Sequence, residues 1–207
     1  MTTIRLGLVS DVHSSPAPLR HALEIFRRHE VDEIICAGDI AGYYDSVGPT
    51  ISLLRESGCR SVIGNHDQSF LEKTEASEHV EERAYLRSLP ETLSFEFDGL
   101  RTMVVHANPP SEQHGGIKLL NQEGGLIEER VELWRETLAE YPLDVLIVGH
   151  THQVYAEKLG DVLVVNPGSS VFNHSCMILS LPDLSVQTFA LEGKDIIPCW
   201  HFAMLYQ

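Results

Sequence analysis

The sequence has few cysteines, no CxxC pair and no long apolar segment, and each absence excludes a class of protein. Its four cysteines are widely spaced, so we expect reduced thiols and a cytoplasmic setting rather than a disulfide framework. No apolar run approaches the ~20 residues that span a bilayer, so no membrane partner is expected. The first residues, MTTIRLGLVSD, are typical of a strand and not of a signal peptide.

Basic residues are also scarce. The 207 residues include 15 Lys and Arg against 30 Asp and Glu, a formal net charge of −15. A protein that holds nucleic acid by its backbone needs a basic surface, so we expect no nucleic-acid partner. The acidic run at 72–83 predicts an exposed, charged helix. The length fits a single domain over residues 1–207.

Strands and helices alternate in the N-terminal half. Short apolar runs predict strands over 4–10, 31–38 and 59–65, and helical spacing of apolar residues predicts helices over 17–29 and 47–58. This βαβαβ order implies a parallel sheet with right-handed crossovers.

The second half has a different pattern. Residues 109–125 are polar and Gly-rich and predict a mobile loop, followed by a helix over 126–140 and a buried strand over 144–152. Paired β-rich runs predict three hairpins, so the chain is expected to fold as an α/β protein with two packed sheets flanked by helices. The hairpin turns are predicted at Asp98-Gly99, Gly160-Asp161 and near Pro182-Asp183.

Residues that can bind metal ions follow five of the predicted strands. Ligands of open α/β sheets bind outside the carboxyl ends of the strands, so we expect these side chains to converge. Imidazole and carboxylate together favour Mn, Fe, Zn, Co or Ni over Ca or Mg. The set is too large for one tetrahedral ion but fits two ions, with Asp39 as the natural bridge. The predicted ligands are Asp11, His13, Asp39, Asn65, His106, His150 and His152.

Two metal ions of this kind would suit the hydrolysis of phosphate esters, because they can clamp an in-line displacement. His66 follows the ligand Asn65 and points differently, which suits a general acid or a stabiliser of the transition state. We predict that Asp67 orients the His66 ring. Tyr43 is a candidate wall of the substrate pocket and His114 a candidate phosphate contact, with surface exposure as the alternative for both.

Five short motifs occur along the sequence in a fixed order: SDVH (10–13), GD (38–39), GNHD (64–67), VVH (104–106) and GHTH (149–152). With these motifs in this order, the sequence resembles the calcineurin-like metallophosphoesterase superfamily, and most closely its small single-domain bacterial and archaeal phosphodiesterases. The sequence NPGS at 166–169 is also similar to that subgroup.

The resemblance implies a four-layer αββα fold, a sandwich of two mixed sheets flanked by helices. It implies two divalent transition-metal ions, with Mn favoured and Fe, Zn, Co or Ni as alternatives. It further implies hydrolysis of small-molecule phosphodiesters by a metal-bridging hydroxide, with His66 as the catalytic histidine. One ion would be held by Asp11, His13, Asp39 and His152, and the other by Asp39, Asn65, His106 and His150.

Two departures and several alternatives accompany this reading. The protein Ser/Thr phosphatases of the superfamily carry an acid and an Arg where this chain has Gly42 and Tyr43, and Ala107 replaces a glycine that usually follows the fourth motif. A phosphomonoesterase, a nuclease and a non-catalytic protein-binding scaffold remain as alternatives, and the presence of His66 argues against the scaffold.

The apolar tail, with Trp200 and Phe202, is expected to pack onto the sheet, with a dimer contact as the alternative to a monomer.

Overall fold

The computed structural model describes residues 3–201 and residue 204. Within them, no helix is long and apolar enough to cross a membrane. The helices are α1 (Pro16–Arg28), α2 (Val47–Glu56), α3 (Asn65–Lys73), α4 (Val80–Ser88) and α5 (Glu128–Leu138). The strands are β1 (Ile4–Val9), β2 (Glu33–Cys36), β3 (Arg60–Ser61), β4 (Thr92–Phe97), β5 (Leu100–Val105), β6 (Val145–Ile147), β7 (Val154–Leu159), β8 (Val162–Pro167), β9 (Ser175–Leu181) and β10 (Ser185–Ala190).

The strands form two five-stranded sheets, and each sheet mixes parallel and antiparallel pairs. In the first sheet the order is β10-β9-β1-β2-β3, and β1, β2 and β3 are parallel as the βαβαβ pattern predicts. In the second the order is β4-β5-β6-β8-β7, with β5, β6 and β8 parallel. The carboxyl ends of the parallel strands carry the predicted ligands in both sheets.

The two sheets pack face to face, and helices cover their outer faces. On β1, Leu6 and Leu8 are buried between the sheets, whereas Gly7 lies against the Phe26 ring of α1. A Cβ at Gly7 would lie 2.7 Å from that ring, so only glycine lets α1 pack so closely. On the other side, Leu138 of α5 is buried against the second sheet. The predicted four-layer αββα fold is therefore confirmed.

All three predicted hairpins are present. β4 and β5 are joined by Asp98 and Gly99, whose φ angles of 48° and 83° suit a two-residue hairpin turn. β7 and β8 turn at Gly160-Asp161, and β9 and β10 turn after Leu181. Dipeptides of this type identify such turns from sequence because few residues tolerate positive φ.

The single exposed helix predicted over residues 72–83 is wrong. α3 ends at Lys73 and α4 begins at Val80, and a buried arginine, Arg83, joins the two helices. Arg83 Nη1 donates to the carbonyl oxygens of Leu71 at 2.9 Å and Thr74 at 2.7 Å. These carbonyls lie at the C-terminal end of α3, and the arginine that binds them lies on α4. The charged residues of the run indicated an exposed helix, but one of them makes this buried contact.

The Gly-rich segment 109–125 contains no helix or regular strand, as predicted, but it is anchored to the second sheet. Ile117 and Leu119 are fully buried, and Tyr155 Oη donates to the Ile117 carbonyl at 2.8 Å. The Gln153 side chain accepts from the backbone N–H of Leu119 at 2.8 Å. The expectation of a mobile loop overlooked these apolar residues, which hold the segment beside the ends of β5 and β6.

Candidate metal centre

The structure brings all seven predicted ligands to one place between the two sheets. The first sheet supplies four from the ends of β1, β2 and β3, and the second supplies three from the ends of β5 and β6. The carboxylate and imidazole groups form three overlapping clusters in which the ligand atoms lie within 4.8 Å of one another. The clusters are Asp11, His13 and His152; Asp39, His106 and His150; and His13, Asp39 and His66.

The donor atoms of the first cluster lie close together. His13 Nε2 lies 3.1 Å from His152 Nε2, and these atoms lie 4.0 and 3.2 Å from Asp11 Oδ1. All three residues are buried. An ion bound at about 2.1 Å by neighbouring ligands holds their donor atoms about 3 Å apart, so this cluster fits a divalent transition metal.

The second cluster includes Asn65 as well as charged groups. Asn65 Oδ1 lies 3.0 Å from His106 Nε2 and 2.9 Å from His150 Nδ1. His106 Nε2 is also 3.3 Å from Asp39 Oδ1. Two imidazoles, an amide oxygen and a carboxylate thus point to one position, and this donor set again fits a transition metal.

Asp39 lies between the clusters. Its carboxylate groups with His106 and His150 on one side and with His13 and His66 on the other. Its Oδ1 also accepts the backbone N–H of His66 at 2.8 Å. A carboxylate in this position could bind one ion on each side.

Glycines allow the ligand segments to approach one another. A Cβ at Gly149, in the GHTH motif, would overlap Ser10 Oγ and lie 2.7 Å from Asp11 Oδ2. A Cβ at Gly64, in the GNHD motif, would overlap the backbone and carboxylate of Asp39. The glycines of these motifs are therefore explained by contact with ligand residues, not by local turn geometry.

Backbone strain is concentrated at the ligands. Five of the seven have left-handed φ angles between 47° and 64°, a conformation that non-glycine residues adopt at a cost of about 1–2 kcal/mol each. Such strain persists only where surrounding contacts enforce it, and it clusters at functional sites. The five are Asp11, His13, Asp39, His150 and His152.

Burial and neighbouring charges set the protonation of the ligands. Burial lowers the pKa of His13 and of His150 to about 4, so both rings are neutral near pH 7 and offer a lone pair. Burial alone would also lower the pKa of His106, but the adjacent Asp39 outweighs it and raises that pKa to about 9. Burial alone would raise the pKa of Asp11, but the adjacent His152 holds it well below its usual range.

His66 lies at the open side of the clusters. Its ring centroid is 4.9 Å from that of His13 and 4.8 Å from that of Tyr43, and the residue is half-buried. A Cβ at Gly42 would lie 2.7 Å from His66 Nδ1, so glycine at this position makes room for the ring. Gly42 is one of the two positions at which the sequence differs from the protein Ser/Thr phosphatases. The ring is thus near the ligand atoms and also accessible from the pocket.

Asp67 does not orient the His66 ring as predicted. Its two carboxylate oxygens accept the backbone N–H groups of Ala41 at 2.7 Å and Gly64 at 2.9 Å. Burial, followed by the nearby Asp39 charge, raises the pKa of Asp67 to about 7. The residue therefore fixes the start of α3 and the segment after Asp39, since its position in the first helical turn favours backbone over side-chain donors.

A cavity of about 270 Å³ opens over the clusters. Tyr43 lines it, as the sequence predicts for a pocket wall, and Lys118 lies on its rim. His114 is exposed, and its ring is 6.2 Å from that of His150, so it lies at the edge of the site. Trp200 and His201 also line the cavity, and no sequence signal linked these two residues to the motifs.

A larger cavity, of about 740 Å³, lies elsewhere, between α5 and the β7–β8 turn. Both arginines that line it are already paired, Arg101 with Asp144 at 2.9 Å and Arg135 with Glu132. None of the three clusters found in the described part of the chain borders it. Chemistry and not size therefore identifies the functional cavity.

Comparison with known proteins gives the same family. Residues 4–181 match the family described as the calcineurin-like phosphoesterase superfamily domain. A phosphodiesterase of Methanocaldococcus jannaschii is 26% identical over 165 residues, which cover 80% of this chain and 83% of the relative. A probable metallophosphoesterase of Methanothermobacter thermautotrophicus is 26% identical over 196 residues, covering 92% and 88%.

Solved structures share the fold. A protein of Pyrococcus horikoshii superposes with a TM-score of 0.74 at 17% identity, over 91% of this chain and 88% of that one. The family match runs from β1 to β9, which includes all the residues of the clusters. The chain belongs to the calcineurin-like phosphoesterase superfamily, a family of metal-dependent phosphoester hydrolases.

Proposed function

We propose that this protein is a phosphodiesterase that acts on small-molecule substrates with two divalent transition-metal ions, Mn favoured. The observation that carries the proposal is the position of Asp39 between two clusters of donor atoms, with His66 beside them. When bound, the ions would supply a water of lowered pKa and neutralise charge on the phosphoryl oxygens.

The protein residues would divide the remaining work. The first cluster would hold one ion through Asp11, His13 and His152, and the second would hold the other through Asn65, His106 and His150. Asp39 would contribute to both. Because strained backbone and buried packing fix these groups before substrate arrives, little reorganisation is needed on binding.

His66 is the proposed donor of a proton to the leaving oxygen. Its ring lies beside the ligands but faces the cavity, and its backbone N–H is held by Asp39 Oδ1. A histidine in such a position can protonate the leaving group or stabilise its charge, and general acid catalysis of this kind contributes about 10²–10⁴-fold.

The aromatic lining of the pocket supports a diester over a monoester. Among the residues found to line it, Lys118 is the one Lys or Arg side chain, and Tyr43 and Trp200 supply aromatic surface. A diester carries a second organic group, which this aromatic surface could contact, whereas a monoester has none. The net charge of −15 likewise disfavours a nucleic-acid polyanion.

The deciding experiment is turnover of bis(p-nitrophenyl) phosphate and p-nitrophenyl phosphate by the metal-stripped protein, with and without Mn²⁺. We expect Mn²⁺ to restore activity and the diester to be the better substrate. Asp39→Asn should abolish the response, whereas the exposed His79→Ala serves as the matched control. Absence of turnover with any divalent transition metal, in folded protein, would contradict an enzymatic role and favour a scaffold. A preference for the monoester would correct the substrate class alone.

A further inference from the structure

His152 lacks a hydrogen bond that the other buried ligand histidines have. His106 Nδ1 lies 2.8 Å from the Ala37 carbonyl oxygen, and His13 Nδ1 lies 3.3 Å from that of Ala41. His152 Nδ1 is buried and has no hydrogen-bond partner among the described residues. A metal-binding histidine normally donates from its second nitrogen, and that bond fixes the orientation of the ring. Something else must therefore orient His152.

Aromatic packing surrounds the His152 ring. Its centroid lies 5.5 Å from that of Phe172, at an interplanar angle of 26°, and 5.0 Å from that of Trp200, at 38°. Phe172 and Trp200 themselves stack at 4.2 Å and 14°. Trp200 is only 9% exposed, so its indole is held in place. Rotation of the imidazole would collide with these rings or open a void beside them.

The segment that carries Trp200 also holds the His152 backbone. The Trp200 N–H donates to the His152 carbonyl at 3.0 Å, and Asn173 Nδ2 donates to the same oxygen at 2.9 Å. The Val154 N–H donates to the Pro198 carbonyl at 2.8 Å, so the segment runs as an added edge beside β7. His152 has a φ of 48°, and these bonds help to keep it in that strained conformation.

We infer that Trp200 is a positioning residue for the metal ligand His152, replacing by ring packing the hydrogen bond that His152 lacks. The inference rests on the proposed two-ion centre and concerns only the ion at Asp11, His13 and His152. Trp200 lies outside residues 4–181, which match the family, so the five motifs do not themselves predict this contact. The second cluster does not touch Trp200 in this way, and its ion is expected to bind normally without it.

The first test measures metal affinity, which needs no substrate. Metal-stripped wild type, Trp200→Ala and Trp200→Phe are titrated with Mn²⁺ by calorimetry, and bound metal is counted. We expect Trp200→Ala to bind one of two ions about 10–100-fold more weakly, the effect of losing a residue that orients a ligand. Trp200→Phe keeps an aromatic ring and should recover most of the affinity. Trp134→Ala removes the other tryptophan, which lies on α5 and packs against the hydrophobic core beside the second sheet, and should leave both affinities unchanged.

The outcomes separate this inference from the proposed function. If wild type binds two ions and Trp200→Ala binds both equally well, Trp200 does not position His152. Equal weakening of both ions would also overturn the inference, because it would indicate general destabilisation. If wild type itself binds fewer than two ions, the proposed centre fails, and the inference fails with it.

A second test does not require a truncated side chain to fold. Trp134→Phe leaves Trp200 as the sole tryptophan, and its emission is followed as Co²⁺ is added to the metal-stripped protein. We expect quenching with the equivalent that binds beside His152, since the ion would lie next to the indole. Trp200→Phe, which retains Trp134, should show little change. Unchanged Trp200 emission while two ions bind would contradict the inference.

Discussion

Asn65 and His66 are neighbours in sequence, but the structure gives their side chains different surroundings. Asn65 Oδ1 lies between the rings of His106 and His150, whereas the His66 ring packs on Tyr43 at the cavity. The backbone N–H of His66 donates to Oδ1 of Asp39, a member of the second cluster. Removing the His66 side chain therefore leaves that bond in place.

Substitution of His66 by Ala should separate catalysis from metal binding. We expect kcat to fall by about 10²–10⁴-fold, the usual contribution of a general acid, while metal content stays near that of wild type. Turnover of the chromogenic diester and metal analysis measure the two quantities. His79→Ala, an exposed histidine outside the site, is the matched control. Loss of an ion from His66→Ala would show instead that His66 is itself a ligand, as its cluster with His13 and Asp39 allows.

Gly149 tests whether the motif glycines exist for close approach. An Ala here would place its Cβ against Ser10 Oγ and the Asp11 carboxylate, so we expect weaker metal binding and lower stability. Gly48→Ala is the control, because its Cβ would meet only the flexible end of Glu82, and alanine favours the α2 helix by about 0.5–1 kcal/mol. Mn²⁺ titration and thermal unfolding compare the two. Equal metal affinity in both variants would contradict this account of Gly149.

At the scale of elements, α3 begins inside the candidate centre. Its first turn carries Asn65, His66 and Asp67, so one helix start supplies a ligand, a proposed acid and a cap. Asp67 ties this turn to the segment after Asp39 through Ala41. Loss of the Asp67 carboxylate should therefore disturb the position of α3 relative to the segment after Asp39.

Asp67→Ala should destabilise the protein even without metal. Two buried N–H groups, on Ala41 and Gly64, would lose their acceptor, at about 1–3 kcal/mol each. We expect a loss on the order of 3 kcal/mol in the free energy of unfolding, measured by urea denaturation of the metal-stripped protein. Asp67→Asn keeps one acceptor and should lose less, and the exposed Asp183→Ala should change little. A stable Asp67→Ala that lost activity alone would restore the predicted role in orienting His66.

Sequence periodicity predicted most elements but not what joins them. The strands and hairpin turns follow from apolar runs and from dipeptides such as Asp98-Gly99, which are local signals. The break between α3 and α4 depends on a buried Arg83, and charged residues are read as exposed unless their partners are known. Likewise Trp200 reaches His152 only because its segment pairs beside β7, a long-range contact without a local pattern.

At the scale of the molecule, the centre joins the two sheets. Two of the three clusters, Asp11–His13–His152 and Asp39–His106–His150, contain residues from both sheets, so a bound ion should stabilise their packing. The convergence of the seven predicted ligands could be expected from the sequence, because the ends of parallel strands share one edge of a sheet and each motif is short. Their pairing into clusters was implied by family resemblance alone, because spacing in sequence does not fix which sheet edges face each other.

Metal removal should therefore lower the thermal stability of the whole protein. An ion at a hundredfold excess over its Kd stabilises the native state by about 2.7 kcal/mol, which for a chain of this size raises Tm by roughly 5–10 °C. Calorimetry with chelator and with added Mn²⁺ measures the shift. Asp39→Asn should lose most of the gain and His79→Ala none. An unchanged Tm would show that the ions do not link the sheets.

The GHTH segment has a consequence for synthesis of the protein. His13 and His152 meet although 139 residues separate them, and His150 completes the second cluster, so a growing chain has neither cluster until this segment has emerged and folded. An unfolded chain would take whichever ion binds most tightly, following the general order of metal affinities. A site that forms only when the chain has folded can instead select the ion by the positions of its ligands.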